Sequence, residues 1–381
     1  MPGPRPSRQR ARAVAAAARR TGPPAVLLAA FVVGALVLDT GRHRPPATAD
    51  QPAAVAAAET TTTTAPPVPS EAGPEITLAL AGDTYFQGPL AGRLAADPAT
   101  ALAPVQHVLA AADLALVNLE TAVGEGGRPE PKQYTFRAPP SALAALRAAG
   151  VDAASMANNH ALDYGPETLH ETLAAERDSG FPLVGIGADE AEAYAPFTTD
   201  VRGRRVSVVA ATQVLDKSLL GSWSATGAQS GVASARRVDR LTAAVRAAAA
   251  ASDTVVVFLH WGVEEQSCPT ADQRTLARAV VQAGADVVVG SHAHRLLGGG
   301  FLGDAYVHYG LGNFAFHPRD AEAARTGVLE LRVGDEGVTE ARWRPGRIDG
   351  ATRLPRLLEG DAAAGDLAHW EGLRACAGLR A

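Results

Sequence analysis

Six residues able to bind a divalent cation lie just past, or in the turn after, short apolar runs: Asp83, Glu120, Asn159, His260, His292 and His294. Gly82-Asp83-Thr84 follows Ile76–Ala81, and Asn118-Leu119-Glu120 follows Leu114–Val117. Asn158-Asn159-His160 follows Ala153–Met156, His260-Trp261-Gly262 ends Thr254–Leu259, and Gly290-Ser291-His292-Ala293-His294 ends Asp286–Val289. Each alone has a plain reading. Gly-Asp is commonly a turn or helix cap, Glu120 a solvated loop acid, Asn158-Asn159 a turn, and His260 a hydrogen-bonded core histidine. Together they make an O/N donor set suited to transition metals, and the lack of thiolates argues against a structural zinc cluster. The His292-Ala293-His294 spacing adds weight, because alternate residues of an extended segment point to one side.

The apolar runs predict the elements that must position these donors. Strands are expected at Ile76–Ala81, Leu114–Val117, Ala153–Met156, Leu183–Gly185, Val206–Ala211, Thr254–Leu259 and Asp286–Val289. Helices are expected at Ala101–Ala112, Ser141–Ala149, Glu167–Ser179, Val238–Ala251 and Ala271–Ala283. Continuous apolar strands alternating with helices predict a largely parallel α/β sheet buried on both faces, whose ligands gather at the carboxyl ends of the strands. Beyond Phe301 the helical patterns stop. The runs Ala305–Tyr309, Gly327–Val333 and Val338–Trp343 predict a second, more antiparallel sheet, all within one domain over residues 75–381.

The residues before that domain read differently. Residues 1–24 are basic, with Arg5, Arg8, Arg10, Arg12, Arg19 and Arg20 and no acid in the first twenty, which leaves 29 basic against 40 acidic residues in the remainder, a formal −11. A body of that sign has no global attraction for nucleic acid, so none is expected as a partner. Residues 25–38, AVLLAAFVVGALVL, carry no charge. As a helix they span about 21 Å against a hydrocarbon layer of roughly 30 Å, which suits either a short membrane anchor or the core of a signal peptide. Arginines on the near side keep the N-terminus cytoplasmic and export the rest, giving a single-pass membrane protein or, after signal cleavage, a secreted one. Residues 39–74, rich in Ala, Pro and Thr, predict a disordered stalk. In an exported domain, Cys268 and Cys376 could close one long disulfide loop, with two free buried thiols as the alternative.

Other chemistries find no motif. No Gly-x-Gly-x-x-Gly or phosphate loop follows the first strand, and Gly290-Ser291-His292 is not a nucleophile elbow. The ordered segments LALAGDTYFQG, LALVNLET, SMANNHALDYG, FLHWGVEEQSCPTADQ, VVVGSHAHR and YGLGNFAF instead resemble the calcineurin-like metallophosphoesterase superfamily, over about Leu78 to Phe316. Within it they are similar to the CapA branch, the capsule (poly-gamma-glutamate) synthesis proteins. The resemblance implies an α-β-β-α sandwich of two mixed sheets flanked by helices, holding one or two divalent ions (Mn, Fe or Zn).

Carried over residue by residue, the resemblance makes Asp83 and His294 ligands of a first metal and Glu120 the bridge. Asn159, His260 and His292 would hold a second metal. His160 takes the place of the general acid, with Asp163 orienting its ring. Arg295, Asn118, Asn313 and Arg137 are candidate substrate contacts. The chain departs from the wider superfamily in having Tyr85 where Asp-x-His has its histidine, Glu120 for the bridging Asp, and Ala161 after His160. The first departure removes a ligand, which leaves one or two ions open. Two functions follow as expectations. One is an extracytoplasmic metal-dependent hydrolase of phosphoester or envelope-polymer bonds, tied to capsule synthesis and possible partner proteins of that assembly. The other is a non-catalytic, membrane-anchored component that binds or guides a capsular polymer.

Overall fold

In a computed structural model of the chain, residues 73–381 are described; the basic N-terminus, the anchor or signal segment and all but the last two residues of the expected stalk lie outside them. Among the described residues no helix is long and apolar enough to cross a membrane. Two mixed sheets carry the fold. The first orders seven strands as Pro355–Leu357, Gly337–Ile348, Arg325–Gly334, Ile76–Thr84, Leu114–Leu119, Ala153–Ser155 and Leu183–Val184. The second orders six as Leu296–Leu302, Ala305–Leu311, Val287–Ser291, Thr254–His260, Arg204–Thr212 and Phe197–Val201. Four parallel strands run together within each, and antiparallel strands extend the edges.

Side-chain alternation sorts these strands into layers. Leu78, Leu80, Leu114 and Leu116 face Val206, Val208, Val256, Phe258, Val287 and Val289 in one core between the sheets. The intervening residues turn outward. Ala79, Ala81, Ala115 and Val117 pack with Leu143 and Leu146 of helix Ser141–Ala148 and Leu169 and Leu173 of helix Gly165–Ser179. Val209, Val255, Val257 and Val288 pack with Leu241 and Val245 of helix Val238–Ala251 and Leu276 and Val280 of helix Ala271–Gln282. Alanines on the outer face of the first sheet suit the close approach of alanine-rich helices. The result is a helix–sheet–sheet–helix sandwich.

Two expectations are corrected. The late strands do not form a sheet of their own: Ala305–Leu311 joins Val287–Ser291 in parallel, whereas Arg325–Gly334 adds antiparallel to Ile76–Thr84. Apolar runs of equal character sit in both sheets, so composition alone cannot assign a strand to one. Helices also do not stop at Phe301, because Gly360–Ala377 forms an 18-residue helix. Its buried residues are only Trp370 and Ala377, so it presents no apolar stripe to read.

That C-terminal helix is fastened at both ends. Cys376 is disulfide-bonded to Cys268, 108 positions away, with Cα atoms 5.7 Å apart. Asp366 pairs with Arg325 and Arg347, and His369 lies 2.7 Å from Glu322. Between them Trp370 Nε1 donates to His308 Nε2 at 3.1 Å, and the imidazole is stacked on both Trp343 and Trp370. Burial first, and then the Arg374 charge, push His308 down to about 3.

Two outcomes follow. Reduction, or Cys376→Ser, should cost about 2–4 kcal/mol of stability, read as a lower denaturation midpoint; an unchanged midpoint would mean the bond adds nothing. Below pH 6.5 an unfolded chain protonates His308 while the folded one does not, so stability falls as pH drops from about 6.5 toward 3. His308→Gln keeps an acceptor for Trp370 and should flatten that fall by up to one proton's worth, about 1.4 kcal/mol per pH unit. Equal pH slopes in denaturant titrations would refute the assignment.

Candidate metal centre

The carboxyl ends of both sets of parallel strands meet at one point. On the first sheet, Leu114 and Leu116 face the inter-sheet core, so the same parity turns Asn118 inward, with Glu120 just past the strand. On the second, Val256 and Phe258 face the core, and His260 continues their face at the strand's last residue. Asp83 and Asn313 are paired across the sheets by a parallel bridge. Its geometry requires Gly82, where a Cβ would sit 1.8 Å from the carbonyl oxygen of Gly312.

The donors form two groups that share Glu120. Glu120, His260 and His292 make one, and Asp83, Glu120 and His294 the other, with the ligand atoms of each group within 4.8 Å of one another. Asn159 joins the first, its Oδ1 lying 2.7 Å from His260 Nε2. Glu120 Oε1 is buried without a hydrogen-bond partner, and the Nε2 atoms of His160, His260 and His294 stand 3.8, 3.8 and 3.9 Å from it. A buried carboxylate oxygen with no donor is costly unless a cation shares it. His292 Nδ1 is likewise buried and unpartnered. The residues present therefore fit divalent cations on either side of Glu120, held by oxygen and imidazole donors.

Neighbouring groups aim these donors. His260 Nδ1 lies 2.9 Å from Ser291 Oγ, which as acceptor leaves Nε2 directed at the centre. His294 Nδ1 lies 2.8 Å from Asn313 Oδ1 and 3.1 Å from Asp83 Oδ2. Asn118 Nδ2 donates to Asp83 Oδ1 at 2.8 Å, and the backbone N–H of Glu120 donates to the Thr84 carbonyl at 2.8 Å. His292 and His294 do not lie on an extended segment, as their spacing suggests. Both have positive φ, 92° and 52°, so the chain turns sharply after Ser291 and sends one ring to each group. Such backbone costs on the order of 1–3 kcal/mol per residue.

Electrostatics leaves two of the three imidazoles, those of His260 and His292, neutral and ready to ligate. Burial drives His260 well below the ordinary histidine range and His292 down to about 3, with neighbouring histidine charges adding to both. Burial is the largest single effect on His294 and would lower it, but the hydrogen bond and charge of Asp83, with the Glu264 charge and the Asn313 bond, together raise it. Burial would raise Asp83, but His294 and Asn118 hold it low; Glu120 is pushed well up by burial and by the Asp83 charge. Neutral His260 and His292 lose no proton on binding a cation, whereas His294 and Glu120 must release any they hold.

His160 stands beside the centre. Its Nδ1 is 2.5 Å from Asp163 Oδ2, and its ring is stacked on Phe136 at 4.3 Å. Burial holds it below the usual range against the opposing pull of Asp163. The cleft in front is lined by Tyr134, Phe136, Phe316, His317, Arg295, Arg319, Glu264 and Glu265. Tyr85, at the superfamily's histidine position, packs at a tilt against Phe316, with ring centroids 4.1 Å apart, and meets His317 Nδ1 through its hydroxyl at 2.8 Å, so it builds wall and not ligand.

The expected substrate contacts fare differently. Arg295 lines the cleft but makes two bonds to Asp320, at 3.0 and 2.7 Å. Arg137 is held elsewhere, donating to the carbonyls of Glu125 and Gly126 and lying over the Tyr164 ring. Asn118 and Asn313 are buried and committed at both ends of their amides, Asn118 to Asp83 and Asn158, Asn313 to His294 and the Ala323 carbonyl. Both amides are thus hydrogen-bonded within the frame of the centre. Lys132, Ser291 and Asp320 escape sequence reasoning, since a loop lysine, a strand-end serine and a loop aspartate look like ordinary solvated residues.

Against known proteins, the family model "Bacterial capsule synthesis protein PGA_cap" matches residues 77–318. The capsule biosynthesis protein CapA of Bacillus anthracis is 28% identical over 209 residues, 54% of this chain and 50% of its own. The PGA biosynthesis protein CapA of Bacillus subtilis is 28% identical over 200 residues, 52% of this chain and 51% of its own. The chain thus spans about half the length of these relatives. A crystal structure of a phosphatase from Mycoplasma pneumoniae superposes with a TM-score of 0.45 at 13% identity, covering 72% of this chain and 94% of that one; the fold rests on the strand order and layers above. With a family model matched over more than half its length, the chain belongs to the bacterial capsule synthesis protein PGA_cap family.

Proposed function

We propose that this protein is a metal-dependent hydrolase of phosphoester or cell-envelope polymer bonds, working outside the cytoplasmic membrane in the synthesis of a poly-gamma-glutamate-type capsule. The observation that carries this reading is Glu120 Oε1, unpartnered between two donor groups, with His160 Nε2 3.8 Å away. Divalent cations bound there (Mn, Fe or Zn suit the donors) would supply Lewis-acid stabilisation of charge on a phosphoryl oxygen. The chain's own residues do the rest. Asp163 accepts from His160 Nδ1, which fixes the ring and keeps Nε2 facing the centre. A proton held at Nε2 is then placed to pass to a leaving oxygen in the cleft. Phe136 and Phe316, stacked on His160 and His294, shield both rings from water.

The relatives' names support the capsule connection, and the charge asymmetry of the N-terminal residues supports export. A non-catalytic, polymer-guiding role explains less. It has no use for a His160–Asp163 pair aimed at the same oxygen that the metal ligands surround.

Two experiments test this. The full chain, purified and loaded in turn with Mn²⁺, Fe²⁺ and Zn²⁺, should hydrolyse aryl phosphodiesters; protein inert with every metal would overturn the hydrolase. His160→Gln should keep its metal and lose about 10²–10⁴-fold in kcat. Asn159→Ala and His292→Ala should instead lose metal, read by elemental analysis after dialysis. Variants that retain full metal and full activity would show that the centre lies elsewhere.

A further inference from the structure

Lys132 is nearly buried, its side chain 8% exposed, yet lies on a polar loop. The loop runs from Ala122–Val123 to Arg137–Ala138, two short strands that pair in parallel as a small sheet of their own. Between them it is laid against the turn that follows His160. Arg128 N–H donates to the Tyr164 carbonyl, Glu130 N–H to the Asp163 carbonyl at 2.8 Å, and Phe136 N–H to Asp163 Oδ2 at 2.7 Å. The Lys132 ammonium then makes three contacts. It lies 2.5 Å from Asp163 Oδ1, donates to the backbone carbonyl of Asn159, and stands 4.8 Å over the Trp223 ring.

We propose that Lys132 is a positioning residue for His160, acting through Asp163. With Lys132 on Oδ1, and with His160 Nδ1 and the Phe136 N–H on Oδ2, both carboxylate oxygens are engaged and the carboxylate cannot rotate. That holds the imidazole plane against Phe136 and keeps Nε2 on the centre. The second contact pins the main chain of Asn159, so one ammonium ties the proton-bearing ring to the residue beside it. Trp223 comes from helix Leu220–Trp223 and closes the site of the ammonium from outside. Arginine would not replace it, because a planar fork cannot direct donors to a carboxylate oxygen, a carbonyl and a ring face from one point.

The catalytic consequence rests on the hydrolase reading, but the positioning itself does not. In the full chain, the Nδ1 proton shared by His160 and Asp163 should give a far-downfield imidazole resonance, assigned by its loss in His160→Gln. Lys132→Met should move that resonance upfield or broaden it away, with unchanged metal content; Lys132→Arg should leave it displaced. On aryl phosphodiesters of graded leaving-group acidity, Lys132→Met should lower kcat about ten-fold or more for the poorest leaving groups and little for p-nitrophenolate. KM should stay constant, and Lys132→Met should add nothing in a His160→Gln background. An unmoved resonance in Lys132→Met overturns the proposal, whether or not the protein is active, and so does a loss independent of the leaving group. Inactivity of the wild-type protein with all metals would overturn the hydrolase reading alone, leaving the resonance to decide Lys132. Should Lys132→Met misfold, Trp223→Phe trims the indole to a single ring without its N–H and should shift the same resonance less.

Discussion

The two sheets are joined at their carboxyl edges by backbone, and the centre depends on that seam. Asp83 N–H donates to the Gly312 carbonyl at 2.9 Å, Phe314 N–H to the Asp83 carbonyl at 2.8 Å, and Tyr85 N–H to the Ala315 carbonyl at 3.0 Å. Between the strands' middles the sheets meet through the apolar side chains of the shared core. At the seam they close to hydrogen-bonding distance, which a side chain at Gly82 would forbid. One sheet contributes Asp83, Glu120 and Asn159; the other contributes His260, His292 and His294. Neither half-set has enough donors for two cations. Closing the seam brings them within reach of one carboxylate and also buries that carboxylate away from water.

Burial then sets the chemistry. Placing Glu120 and Asp83 together in a dry site raises the first and depends on His294 to keep the second ionised. Three histidines with Nε2 atoms around one unpartnered oxygen would repel one another if all were protonated. Divalent cations would resolve both conflicts at once, since they would neutralise the carboxylates and ligate neutral imidazole. The positive φ values of His292 and His294 fit the same picture, because strained backbone persists where surrounding structure over-determines it.

Much of this is legible before any coordinates. Asn118, Glu120 and His260 inherit their inward direction from the alternation of Leu114-x-Leu116 and Val256-x-Phe258, and period-two patterns are plain in the sequence. What is not legible has physical causes. Val206–Ala211 and Leu114–Val117 have the same apolar character although they lie in different sheets, so the partition into two sheets is tertiary information. Asn118 and Asn313 have the residue type of a substrate contact, but only packing shows both ends of each amide committed inside the frame. Lys132 gives no signal in the sequence, because its partners are on a turn 27 to 31 positions away.

The C-terminal helix brings the distant parts of the cleft into one mechanical frame. Its Cys376 is bonded to Cys268, three residues beyond Glu265, which lines the cleft. Its Asp366 pairs with Arg325 and its His369 lies against Glu322, on either side of Ala323, whose carbonyl fixes Asn313; Asp320, two residues before Glu322, holds Arg295. Asn313 in turn orients His294. One helix thus braces both walls of the cleft and, through two hydrogen bonds, a ligand ring. A centre built from six side chains on two sheets needs donors held to within about 0.5 Å. Hydrogen bonds from mobile loops would not supply that tolerance, whereas a covalently fastened helix packed on His308 and Trp343 can. The covalent bond acts on the cleft through its walls, and the backbone seam acts on the ligands themselves, so opening the disulfide should loosen substrate binding before it disturbs the metal donors.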